Sequence, residues 1–110
     1  MACPYGEGAR VRDSWRIERS VRIAAQAAIE VARLAVCGCT AVCPALSVAE
    51  ISHARLLIGE DAPDPLDARF WSGWAQPLFN ASALLVVPDI PGLDRCPAIW
   101  RETCHALSRN

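Results

Sequence analysis

Two kinds of apolar pattern alternate along the chain, helical stripes and short continuous runs. Ile17, Val21, Ala24, Ala25, Ala28, Val31, Ala32 and Ala35 recur at the three- and four-residue spacing of one helix face. That spacing predicts a long helix capped by Asp13 or Ser14 and stopped by Gly38. Ser47 and Glu50 form an S-x-x-E capping box for a shorter helix running to about Ile58. Asp67 can start a third helix through Phe70, Trp71, Trp74 and Leu78, which Pro77 kinks or ends. Pro97 suits the first turn of a last helix that reaches Leu107. The continuous runs read as strands. Met1 to Cys3 resembles a strand end, and Thr40 to Cys43 a short buried strand ended by Pro44. Ala83 to Val87, ended by Pro88, has the unbroken apolar character of a strand buried on both faces.

Between these elements lie the loops Pro4–Gly8, 59–65 and 89–95, rich in proline, glycine and aspartate. The order β-α-β-α-α-β-α predicts a single α/β domain over residues 1–110. Its expected form is a Rossmann-like or flavodoxin-like three-layer fold with a short parallel sheet, core order 2-1-3, and right-handed crossovers. No internal repeat or low-complexity tract interrupts it.

Composition narrows the function. The chain has 110 residues, 53% of them hydrophobic, which suits one domain with a modest core. A net charge of -1 gives no electrostatic pull towards nucleic acid or an anionic membrane. All the basic residues are arginines, so Schiff-base chemistry on a lysine is excluded. No apolar run reaches the roughly 18 to 20 residues a membrane span needs, and the first residues lack a signal-peptide pattern. A cytoplasmic location is expected, with the six cysteines reduced.

Ligands of parallel sheets bind beyond the C-terminal strand ends. The segments expected there supply Tyr5, Gly6, Gly8 and Arg10, then Pro44 to Ser47, then Asp89, Gly92, Asp94 and Cys96, with Glu102 in the following helix. Such a cluster can hold a polar ligand under several carboxylates.

Three motifs tie this cluster to a family. Ala2-Cys3-Pro4-Tyr5-Gly6 is similar to an A-x-P-Y-S opening, and Asp67-Ala68-Arg69-Phe70-Trp71 to a D-x-x-F-W helix start. Pro91-Gly92-Leu93-Asp94-Arg95-Cys96-Pro97-Ala98, with Glu102 beyond it, is similar to P-G-W-D-x-S-x-G-x-x-x-E. In order and spacing the chain resembles the nucleoside 2-deoxyribosyltransferase superfamily over nearly its whole length. The resemblance implies an enzyme acting on the N-glycosidic bond of a nucleoside or deoxynucleotide, by transfer or hydrolysis. Glu102 matches the glutamate that attacks the anomeric carbon, and Tyr5 a tyrosine that could orient it. Asp67 or Asp94 could protonate the departing base. Gly6, Gly8, Arg10, Asp89, Gly92 and Cys96 would contact substrate. A carboxylate nucleophile splits a hard displacement into two easier ones, and no cofactor is implied.

The departures are Cys96 for serine, Pro97-Ala98 for a pair ending in glycine, and Leu93 for tryptophan. Asn80-Ala81-Ser82-Ala83 also lacks an aspartate common before the third strand. They favour a rival reading, a non-catalytic nucleotide-binding module. Plainer roles are open for each residue: Asp67 as a helix cap, Glu102 as a solvated or ion-paired glutamate, and Trp71 and Trp74 as core or interface aromatics. Cys37-x-Cys39-x3-Cys43 with His53 invites a zinc reading, but the spacing is not a usual zinc-finger one. Four tryptophans in so short a chain, with an edge strand to cover, point to a homo-oligomer.

Overall fold

Proline decides where this chain can pair and where it can only run extended. A computed structural model describes residues 1–109. Pro4, Pro44 and Pro88 end the three apolar runs, and each removes the N–H that a next ladder bond would use. The extended segments lie side by side through isolated bonds: Ala2 N–H donates to the Val86 carbonyl at 2.9 Å, and the Met1 amine to the Val42 carbonyl at 2.6 Å. One bond per neighbour does not build a ladder. The expected Rossmann-like or flavodoxin-like three-layer fold with a parallel sheet is therefore not what the chain adopts. Helix makes up 66% of it. The run 83–87 is not buried on both faces either, since Leu84 is 74% and Val87 40% exposed.

Among the described residues the only paired strands are β1 (Arg10–Val11) and β2 (Ser14–Trp15), an antiparallel hairpin with Arg10 opposite Trp15. Arg12 takes φ 56°, a left-handed conformation that tight two-residue hairpin loops demand. Asp13 and Ser14 thus belong to the hairpin rather than capping a helix. The Pro4–Gly8 stretch is not a loop: α1 spans Tyr5–Ala9. The long helix α2 follows, Ile17–Val36, and the chain turns at Gly38 with φ 79°. Helix α3, Pro44–Ile58, starts three residues before Ser47 because Pro44 fits its first turn, and ends at Gly59. Helix α4 is Ala68–Ala81 and α5 is Pro97–Ser108. Pro77 lies inside α4, where it has no N–H to give the carbonyl of Gly73 one turn earlier.

The core is built where α1, α2 and α3 meet. Tyr5, Ala9, Ile23, Ala27, Val48 and Ala49 are buried together, with Trp71 of α4 and Ile90 closing the cluster. Small residues let these helices approach closely. Gly8 is the tightest point: a Cβ there would sit 2.9 Å from Ile23 Cγ1. Trp71 pins α4 by donating its indole N–H to the Asp64 carbonyl at 2.9 Å, and stacks edge-on with Phe70 and Trp74. A smaller cluster of Ala2, Cys96 and Ile99 seats α5. No helix among the described residues is long and apolar enough to cross a membrane.

Candidate functional site

Helices α4 and α5 converge over the extended segments 1–3 and 83–87 and leave a cavity of about 480 Å³ between them. Phe79 and His105 meet across the two helices, ring centroids 5.3 Å apart. Apolar side chains, Ala75, Leu78 and Phe79 of α4 and Ala106 and Leu107 of α5, share the walls with the polar Ser82 and Thr103. Among the described residues Glu102 is the one carboxylate in the lining, with Thr103 on the same helix, Arg109 just past its end, and Cys3 from the first extended segment. A volume of this size suits a nucleoside-sized ligand.

Burial in the cleft pushes the Glu102 carboxyl above its usual range, while the Met1 ammonium and Arg101 pull it the other way. The protonated form is thereby favoured. Cys3 lines the cavity, and the buried Cys43 lies beside it. The hydrogen bond from Cys3 lowers the Cys43 thiol to about 7, against the effect of burial, and the same bond with burial pushes Cys3 up.

The other residues expected at the site do not gather around Glu102. Tyr5 is buried in the core, where its hydroxyl shares a 2.7 Å hydrogen bond with Ser20 Oγ and accepts one from Trp15 Nε1 at 3.1 Å. Asp67 caps α4, its carboxylate accepting the Phe70 N–H at 3.0 Å. Asp94 is solvent-exposed beside Arg95, and Asp89 is exposed as well. Gly92, at φ 91°, precedes a short 3₁₀ turn, Leu93–Arg95. Arg10 pairs with Glu7 at 2.6 Å. Gly6 is exposed, and Gly8 is occupied by its contact with Ile23. Cys96 is buried beneath α5. Cys37 and Cys39 are exposed while Cys43 is buried. Among the described residues no group of three or more His, Cys, Asp or Glu stands together as metal ligands.

Sequence reasoning missed a buried polar chain in which Tyr5, Ser20 and His53 follow one another, Ser20 Oγ lying 2.9 Å from His53 Nε2. Its signal was weak: a serine on the apolar face of α2, where a hydroxyl is tolerated only with partners. Ser52, fully buried next to His53, has no partner for its Oγ among the described residues.

What fold and cavity define together is a small, mainly helical domain with one carboxylate-bearing cleft between its last two helices. The family model described as "Domain of unknown function (DUF1937)" matches residues 1–110, and the chain belongs to that family. No curated protein and no solved structure matches it.

Proposed function

We propose that this domain is a cytoplasmic enzyme acting on the N-glycosidic bond of a nucleoside or deoxynucleotide, with Glu102 as the nucleophile. The observation that carries the reading is the position of Glu102: a half-buried carboxylate opening into a cavity of nucleoside size that mixes apolar side chains with Ser82, Thr103 and Arg109. Its oxygen attacks the anomeric carbon as the bond to the base breaks, and the base leaves with the electron pair. A proton reaches the base from water in the cleft, because Asp67 and Asp94 are held elsewhere. Water or a second base then displaces the glutamate. Exposed aromatics on the last two helices, Trp74 at 38% and Trp100 at 62%, support self-association of the domain.

The second reading, a nucleotide-binding module without turnover, is favoured by the commitment of Tyr5 to the buried chain and of Asp67 to its cap. Release or exchange of free base from a panel of deoxynucleosides and deoxynucleotides separates the two. Glu102→Gln keeps the size of the side chain and removes the nucleophile, so turnover should vanish while ligand affinity changes little. Full activity in Glu102→Gln refutes the assignment. Binding without turnover in the wild type selects the module.

A further inference from the structure

Three of the six cysteines gather around the first extended segment, and the other three, Cys37, Cys39 and Cys104, are exposed. That segment is tied on one side to the run ending at Cys43, through the Met1 amine and the Val42 carbonyl. On the other side it is tied to the run 83–87, through Ala2 N–H and the Val86 carbonyl. Cys43 is buried in the main core and Cys3 packs against the same cluster, their thiols joined by a hydrogen bond. Cys96 is buried in the smaller cluster with Ala2. Cys3 lines the cavity between α4 and α5, and so do Val42, Pro44 and Ala45, the chain neighbours of Cys43. Cys43 also stands at the start of the fifteen-residue helix α3, where the Ala45 and Leu46 N–H groups favour its thiolate. A buried cysteine is ordinarily a small apolar side chain. Two thiols in contact, one of them opening on a cavity, are a different arrangement.

We propose that Cys3 and Cys43 form a dithiol site for hydroperoxides, oxidised through the cavity to an intramolecular disulfide. The site is independent of the glycosidic reading above. The two thiols titrate as a pair, and a proton moving along their hydrogen bond places the charge on either sulfur. Cys3 is the sulfur that an incoming hydroperoxide meets. Its thiolate attacks the distal peroxide oxygen, the O–O bond breaks, and Cys3 becomes a sulfenic acid. The alkoxide released takes the remaining proton from Cys43 and leaves as an alcohol, or as water when the oxidant is hydrogen peroxide. The Cys43 thiolate then attacks the Cys3 sulfur, forms the S–S bond and expels hydroxide, which solvent protonates. The two sulfurs lose two electrons and the peroxide bond gains them. Intracellular disulfides are characteristically transient and redox-sensing. This one would join covalently two segments that isolated hydrogen bonds now hold together.

The test treats the reduced full chain with one equivalent of hydrogen peroxide, blocks the free thiols, digests the product and maps the peptides by mass. The expected major product carries a Cys3–Cys43 cross-link, with both thiols lost together and both restored by dithiothreitol. Cys37, Cys39 and Cys104 should remain mostly free at that point, although they are the more exposed. Cys43→Ala keeps a small apolar side chain and removes the second thiol, so Cys3 should stop at a sulfenic acid that dimedone labels. Cys3→Ala should leave Cys43 unoxidised. Circular dichroism shows whether each variant folds, and the wild-type map decides the question if one does not. Oxidation of the exposed cysteines with Cys3 and Cys43 intact overturns the proposal. So does a Cys3–Cys96 cross-link, or oxidation of Cys3 in the wild type without any cross-link to Cys43.

Discussion

Replacing Gly8 by alanine tests whether this glycine serves packing or a ligand. The added Cβ would meet Ile23 Cγ1 at 2.9 Å, Cδ1 at 3.0 Å and Cβ at 3.2 Å. Ile23 is only 4% exposed and enclosed by the core, so it has little room to turn away and α1 must lift from α2. Overpacking of this kind costs about 1–3 kcal/mol. Removing a helical glycine returns up to about 1 kcal/mol. The net loss should be about 1–2 kcal/mol, or roughly 4–8 °C in Tm for each kcal/mol lost. Urea unfolding of a double-mutant cycle isolates the contact. Ile23→Val removes Cδ1 alone and should relieve part of the cost of Gly8→Ala. Ile23→Ala also removes Cγ1 and should relieve nearly all of it, despite its own cavity cost of about 2–5 kcal/mol. The same loss from Gly8→Ala in all three backgrounds would refute the packing argument. Reduced ligand affinity with unchanged stability would restore the ligand role.

Other perturbations follow from the same geometry. Glu102→Gln should raise stability at neutral pH. The native carboxyl titrates above its unfolded value of 4.5, so the wild type loses stability as pH rises through that window, and the two proteins should converge below it. Melting curves across acidic and neutral pH check this, and a difference independent of pH would count against it. Asp67→Ala should cost about 1 kcal/mol through loss of the α4 cap, with no change in base release if its role is structural. Ser52→Ala should be neutral or mildly stabilising, because it removes a buried hydroxyl that has no partner; a loss above about 1 kcal/mol would mean that water satisfies it.

The helices were legible because their signals are local. Gly38 and Gly59 mark real ends, Asp67 caps the helix it precedes, and Pro97 opens α5. The misreadings came from segments whose state depends on partners. An apolar run such as 83–87 reads as a buried strand only if neighbours supply a ladder on each side, and the prolines at 4, 44 and 88 leave no length for one. Asp13 and Ser14 look like caps, but they sit in a hairpin whose pairing with Arg10 and Val11 the helical pattern does not reveal. At the candidate site, Glu102 could be singled out in the sequence, whereas its surroundings could not. The cavity is made by α4 and α5 meeting, and the residues expected beside Glu102 depended on the parallel sheet that the chain does not form.

Helix α4 is not uniformly stiff. Between Gly73 and Pro77 it combines a residue without side-chain constraint and a carbonyl that receives no backbone bond from the turn above. The first half is anchored by the Asp67 cap and the buried Trp71, while the second carries Leu78 and Phe79 along the cavity wall. Bending compliance is therefore concentrated at one point, and the width of the cleft can vary without disturbing the core. Amide protons of residues 78–81 should exchange faster than those of residues 71–74. Substituting Pro77 with alanine restores the missing bond and should slow that exchange, narrowing the range of ligand shapes the cleft accepts.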